Sequence, residues 1–385
     1  MTYDFTTLPE RFSTNAIKWQ EVREDKDLLA MWIADMDFPV FPEMSEALAE
    51  YAKTSVFGYD APKESLYQAI LEWEKREHDY VFDKEALVFV QGVVPAISLA
   101  IQAFTKEGET VLINTPVYPP FARSVKLNKR QLLSHPLIEQ NGHFELDFEQ
   151  LEKDIVAHQV KLYILCNPHN PGGRVWTKAE LEKIGQLCQK YGVILVSDEI
   201  HQDLTLFSHK HHTINTVDEA FKDFSVVLTS ATKTFNIAGT KNSFAIIENE
   251  TLKKAFTHQQ LVNNQHEIAT IGYVATEAAY REGRSWLNAL KQVLEDNITY
   301  VVDTLAKETQ IKVMKPEATY LIWLDFSAYH LSHEELAYKL RHEAKLLLND
   351  GLTFGREGEK HFRLNAAAPK AIIREAVKRL CQVFG

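Results

Sequence analysis

From about residue 87 to residue 249 the chain alternates short apolar runs with amphipathic stretches: ALVFV then VVPAISLAIQAF, VLINTP then PPFARSVKL, KLYILCNP then TKAELEKIGQLCQKY, followed by VILVSDEI, SVVLTS and FAIIEN. A strand with one wet face alternates polar and apolar residues. Runs that are apolar at successive positions and rich in β-branched residues must therefore be covered on both faces, and the helical stretches between them are the natural covers. The pattern predicts an α/β sheet of buried parallel strands with crossover helices. In such sheets ligands bind beyond the carboxyl ends of the strands.

Beyond residue 250 the rhythm lengthens. Helical periodicity runs from about 284 to 307 and again over AIIREAVKRLCQVF, with the strand-like runs TYLIWLDFS and HFRLNAA between them, which predicts a smaller α+β domain. The first 45 residues carry little periodicity apart from MSEALAEYAKT and are expected to pack against that domain. The expected division is a large domain over 46–285 and a small one built from 1–45 and 286–385.

Composition narrows the chemistry. The 385 residues carry a formal net charge of −11, so nothing draws the chain as a whole to nucleic acid or an anionic membrane. It shows neither a basic helix-turn-helix segment nor an apolar run of membrane-spanning length. Cys166, Cys188 and Cys381 are odd in number and far apart, which fits neither a disulfide framework nor a zinc spacing. Cys166 and Cys188 fall in buried patterns, where cysteine acts as a small hydrophobe. With a polar N-terminus that has no apolar leader core, the expected home is the cytoplasm. His209, His211 and His212 in SHKHHT have no acidic or cysteine company, and are expected to form a solvated loop without metal.

Three segments carry the chemistry. In TSATKTFNIAG, Lys233 follows Ser230 and Thr232 directly after an apolar strand. A lysine there can form a Schiff base while its hydroxyl neighbours hold a phosphate; it can also be a solvated loop lysine. In VILVSDEIHQDL, Asp198 and Glu199 end a strand fit for full burial. A carboxylate there needs a cationic partner, a metal or a helix N-terminus to cap. In LYILCNPHNPGGRVW, Asn170 can donate to a ligand oxygen or serve turn chemistry alone.

Order and spacing join the three. Asn170 precedes Asp198 by 28 residues and Asp198 precedes Lys233 by 35, which puts each at the tip of a different strand. The constellation resembles the fold-type I pyridoxal 5′-phosphate (PLP) enzymes, the aspartate aminotransferase superfamily, from about residue 30 to the C-terminus. The resemblance implies an α/β fold with a mostly parallel seven-stranded sheet between helices, a smaller α+β domain, and PLP as cofactor. Carried over by position, Lys233 is the Schiff-base lysine, Asp198 pairs the pyridine nitrogen, and Asn170 hydrogen-bonds the phenolic oxygen and borders the substrate. Tyr118, in NTPVYPPF, stacks on the ring and joins Lys233 and Asp198 as a catalytic residue.

The phosphate falls to Gly92, Val93 and Val94 at the strand-to-helix turn, where only backbone can serve, with Ser230, Thr232 and Lys241 in support. Lys241 stands where the superfamily commonly has arginine, keeping the charge and losing the fork. Arg363, in HFRLNAAAP, clamps the substrate α-carboxylate. Tyr59, in VFGYDAP, reaches the cofactor phosphate and substrate of the neighbouring subunit, which implies a homodimer with shared active sites.

WIADMDFP, FGYD, VYPPF, NPHNPGGRVW and SDEIHQDL together look like the MalY/PatB branch, the cystathionine β-lyase-like carbon–sulfur lyases. His201 belongs to this signal. It stands three residues after Asp198, where typical aminotransferases place a cofactor-touching tyrosine. The branch implies α,β-elimination of a sulfur amino acid, L-cystathionine, L-cysteine or an S-substituted cysteine, to pyruvate, ammonia and a thiol or hydrogen sulfide. Two other readings stand beside it: an aminotransferase using the same lysine and aspartate, and a regulatory role through a protein partner.

Overall fold

The computed structural model describes residues 3–54 and 56–385. Seven strands form one sheet, in the spatial order Leu87–Val90, Ser243–Ile246, Ser225–Thr229, Ile194–Asp198, Leu162–Cys166, Thr110–Thr115 and Gln131–Pro136. The last five pair in parallel, whereas Ser243–Ile246 runs antiparallel to both its neighbours. The six apolar runs of the sequence are six of these strands. The seventh, Gln131–Pro136, escapes the pattern because it is an edge strand with Gln131, Ser134 and Pro136 exposed.

Both faces of the sheet are covered, and the strand period of two divides its side chains between two cores. Val90, Ile113, Ile164, Val196, Val226 and Leu228 pack with the helix Val93–Phe104 and with Phe121 and Val125. Phe89, Leu112, Leu165, Leu195, Val227 and Phe244 pack on the opposite face with Leu181, Ile184 and Cys188 of the helix Lys178–Tyr191. Each such side chain contributes about 1.5–3 kcal/mol on full burial. The second helix starts at a reciprocal Thr177–Glu180 capping box and ends at Gly192 in the left-handed region. It crosses Phe221 at Gly185, where a Cβ would lie 2.1 Å from the phenyl ring.

The C-terminal part holds a four-stranded antiparallel sheet of Lys312–Met314, Leu321–Asp325, His361–Asn365 and Asn349–Asp350. The helices Arg284–Glu308 and Lys370–Phe384 pack together against it. The N-terminal segment is bound to this part by backbone. Leu29–Ala30 pairs in parallel with Leu346–Leu347, Asn365 N–H donates to Met31 O, and Asp37 N–H donates to Ala367 O. A buried ion pair, Lys18 Nζ to Asp37 at 2.7 Å, fixes the turn between them.

Candidate active site

Parallel strands end on one edge of the sheet, so the residues that follow them converge. Asp198 is the last residue of its strand, beside Cys166 on the next. Asn170, Lys233, Gly92 and Tyr118 lie just past the ends of four others. Ser243 arrives from the opposite direction, because its antiparallel strand begins at this edge, opposite Val90. Together they line a cavity of about 210 Å³, with Val93, Val94, His201, Thr232, Lys241 and Ala34 completing its wall.

At one end of the cavity the helix Val93–Phe104 begins. Gly92 caps it at φ +138°, outside the range of ordinary side chains, and the N–H groups of Val93 and Val94 open the helix. This is an anion site by dipole and donors alike, with the Thr232 and Ser243 hydroxyls and the Lys241 ammonium beside it. The same cavity is lined by Asp198, 4% exposed, accepting a bond from Ile200 N–H at 3.2 Å. Burial pushes its carboxyl up to about 7, so a cation at this oxygen would be strongly favoured. An anion cradle and a buried carboxylate lining one cavity are the donor set that a phosphorylated, protonatable pyridine requires. The residues present fit PLP.

Lys233 Nζ donates to Ala34 O at 2.6 Å. Burial, with the Arg363 charge, brings its ammonium down to about 8, within reach of the neutral amine that a nucleophile or base needs. Burial, with Lys233 and Arg363 close by, also pushes His201 down to about 3; its imidazole is neutral and its Nδ1 has no partner. Tyr118 donates its backbone N–H to Asn170 O, and burial raises its phenol above the ordinary range.

Arg363 stands behind Asn170 and does not itself line the cavity. Its guanidinium donates to Asn170 Oδ1 at 2.9 Å, Trp32 O at 2.8 Å and Asn349 Oδ1 at 2.6 Å, and lies 5.0 Å from the centre of the Phe354 ring. Three of its five N–H donors are thus committed; the Nε–H, buried without a partner, and one Nη1 N–H remain. With Asn170 Oδ1 occupied by the arginine, its Nδ2 is the group left to donate to a ligand.

The aminotransferase class I and II family matches residues 26–380. The chain belongs to that family. Cystathionine β-lyase PatB of Bacillus subtilis is 40% identical, covering 98% of both chains. The crystal structure of PLP-containing cystalysin from Treponema denticola superposes with a TM-score of 0.96 at 35% identity, covering 100% of this chain and 99% of that one. The PLP-bound C–S lyase from Staphylococcus hominis gives 0.93 at 31%, covering 100% and 98%. The fold is that of the fold-type I PLP-dependent transferases.

Within this family fold, some residues singled out from the sequence sit elsewhere than at the cavity. Ser230 accepts from Thr232 N–H and donates to Asn242 O at 2.7 Å, holding the lysine's segment from behind. Tyr59 is 95% exposed and borders a separate groove with Asp60 and Glu267. Glu199, adjacent to Asp198, faces away and accepts from Ser197 Oγ and Ile214 N–H, with His211 Nε2 at 2.7 Å. That pairing corrects the expectation of a solvated histidine loop: His209 is exposed, but His211 is 3% exposed because it serves Glu199. Among the described residues, no three His, Cys, Asp or Glu side chains gather as metal ligands, and no helix is long and apolar enough to cross a membrane.

Sequence reasoning missed Ser243 and the Ala34 carbonyl. Ser243 gave no signal, since a reversed strand looks like its parallel neighbours. Ala34 lies in WIADMDFP, a segment the sequence marked without assigning it a contact.

Proposed function

We propose that this chain is a PLP-dependent carbon–sulfur β-lyase, converting L-cystathionine, L-cysteine or related S-substituted cysteines to pyruvate, ammonia and a thiol or hydrogen sulfide. The observation that carries the reading is the placement of Lys233, Asp198 and Asn170 around one cavity that a helix N-terminus also lines, in a chain 40% identical over 98% of its length to a cystathionine β-lyase.

PLP, when bound, supplies an electron sink for the substrate's α-carbon. Asp198 maintains that sink by holding positive charge on the ring nitrogen. The backbone at Gly92–Val94, with Thr232, Ser243 and Lys241, takes the phosphate, and Ser230 holds their loop. Tyr118 would cover the ring, and Asn170 and the neutral His201 would hydrogen-bond its oxygen substituent. Arg363 takes the α-carboxylate by exchanging a bond it gives to Asn170, Trp32 O or Asn349 for one to substrate, orienting the α-hydrogen toward Lys233. Lys233 Nζ receives that proton, the β-carbon–sulfur bond breaks, and the thiolate leaves with the bonding electrons. The three-carbon enamine that remains hydrolyses to pyruvate and ammonia.

An aminotransferase would begin with the same proton removal, so the decisive experiment reads products. With cystathionine or cysteine and no 2-oxo acid, we expect pyruvate, ammonia and thiol in equal amounts, and poor turnover of alanine, which has no leaving group. Alanine transamination with 2-oxoglutarate that outpaces thiol release would overturn the lyase assignment within the family.

We further propose a cytoplasmic homodimer, with a large domain over 46–285 and a small one from 1–45 and 286–385. Tyr59 supports the dimer, being 95% exposed and outside the lining of its own cavity; in a dimer it completes the partner's phosphate and substrate site. Mixing inactive Tyr59→Ala and Lys233→Ala chains should then restore activity, since hybrids carry one intact site. No gain over the parents despite proven subunit exchange would refute shared sites.

A further inference from the structure

A second cluster of charged side chains, none lining the cavity, packs against the segments that carry Asp198, His201 and Lys233. Glu74 and His78 come from the helix Glu64–His78, and Glu199, Asp203 and His211 from the loop after Asp198; all five are at most 5% exposed. Asp203 is its hub. Its Oδ1 accepts from Trp73 Nε1 at 2.9 Å and lies 2.8 Å from His78 Nε2, and its Oδ2 accepts from Thr234 Oγ1 at 2.7 Å.

Burial would raise the Asp203 carboxyl, but the bonds from His78, Thr234 and Trp73 hold it below its usual value. His78 is raised in turn by Asp203 and Glu74 against its own burial. Glu74, which accepts from Gln202 Nε2 at 2.8 Å, is pushed up to about 7 by burial. Lys291 and Tyr280 face the same cluster from the helices Arg284–Glu308 and Thr270–Glu282.

Thr234 immediately follows Lys233, and both lie in the helix Ala231–Thr234. Four residues cannot sustain a helix by their own hydrogen bonds, so the lysine's direction depends on what grips the segment. Ser230 grips it on one side of Lys233, and on the other the grip is Thr234 on Asp203.

We propose that Asp203 is a positioning residue for Lys233: paired with His78 at 2.8 Å, it holds the Thr234 hydroxyl and thereby aims the adjacent lysine into the cavity. This rests on reading Lys233 as the cofactor-bearing lysine. A merely structural polar group would alter thermal stability alone, whereas a positioning group also alters the titration of the lysine–cofactor chromophore.

The test uses the PLP-loaded enzyme, with its visible band titrated against pH. Thr234→Val keeps the side chain's shape and removes its donor. We expect the band's pH midpoint to move by about half a pH unit or more, and kcat to fall roughly tenfold while KM stays within about twofold. Thr234→Ser should restore both. Asp203→Asn, which keeps size and removes charge, should move the midpoint as well, and it decides the matter if the valine variant does not fold. A lowered melting temperature with unchanged midpoint and kcat overturns the proposal. A wild type that gains no visible band with PLP overturns instead the reading of Lys233 beneath it.

Discussion

Lys233→Ala should leave a folded protein that still takes up PLP and turns over no sulfur amino acid. The side chain donates to the Ala34 carbonyl and its charge is poorly solvated; removing it relieves that cost and disturbs little packing. The phosphate cradle at Gly92–Val94, Thr232 and Ser243 is untouched. What is lost is both the covalent attachment and the base at the α-carbon. Positioned proton transfer by itself contributes about 10²–10⁴-fold, and with the nucleophilic role also gone the loss should exceed about 10⁴-fold. Pyruvate release measures the loss. The wild type should be yellow and, on borohydride treatment, irreversibly labelled at Lys233, whereas the alanine variant should bind PLP without a label. Turnover within tenfold of wild type would refute the assignment.

Asp198→Asn should cut turnover by about 10²–10³-fold while leaving the fold intact, because removing one partner of a buried charge pair forfeits about 3–5 kcal/mol. The asparagine keeps the shape and cannot hold positive charge on the ring nitrogen. The cofactor-free protein should respond in the opposite sense. Burial raises Asp198 from an ordinary carboxyl value to about 7, so between those two values the folded chain binds more protons than the unfolded one and stability falls as pH rises. Above pH 7 that loss is complete in the wild type and absent in the Asp198→Asn variant. Without PLP, the variant should therefore melt at or above the wild-type temperature at pH 8; with PLP the order should reverse. A variant less stable in both states would show that Asp198 is a packing residue and not a charge held for a ligand.

The strands and their active edge were legible from local pattern. Leu162–Cys166, Ile194–Asp198 and Ser225–Thr229 are apolar enough to demand cover on both faces; Asp198 ends one of them, and Asn170 and Lys233 follow the other two. Chain order then put the three at one edge of the sheet. Periodicity carries this information because it records how many faces of a strand are dry.

Periodicity does not record which distant group fills the space opposite a side chain. Asp198 and Glu199 are adjacent and chemically alike, yet one faces the cavity and the other binds His211, a choice made by the opposite faces of the backbone and by what packs on each. Ser243 reached the site because its strand is inserted antiparallel, a matter of non-local pairing. Asp203, His78 and Thr234 come from three separate segments and meet only when the helix Glu64–His78 docks. Local sequence determined the apolar strands, the edge at which they end and which candidate residues stand there; only the tertiary structure decided what holds those residues in place, because a buried polar group is satisfied by whichever partner the packing brings to it.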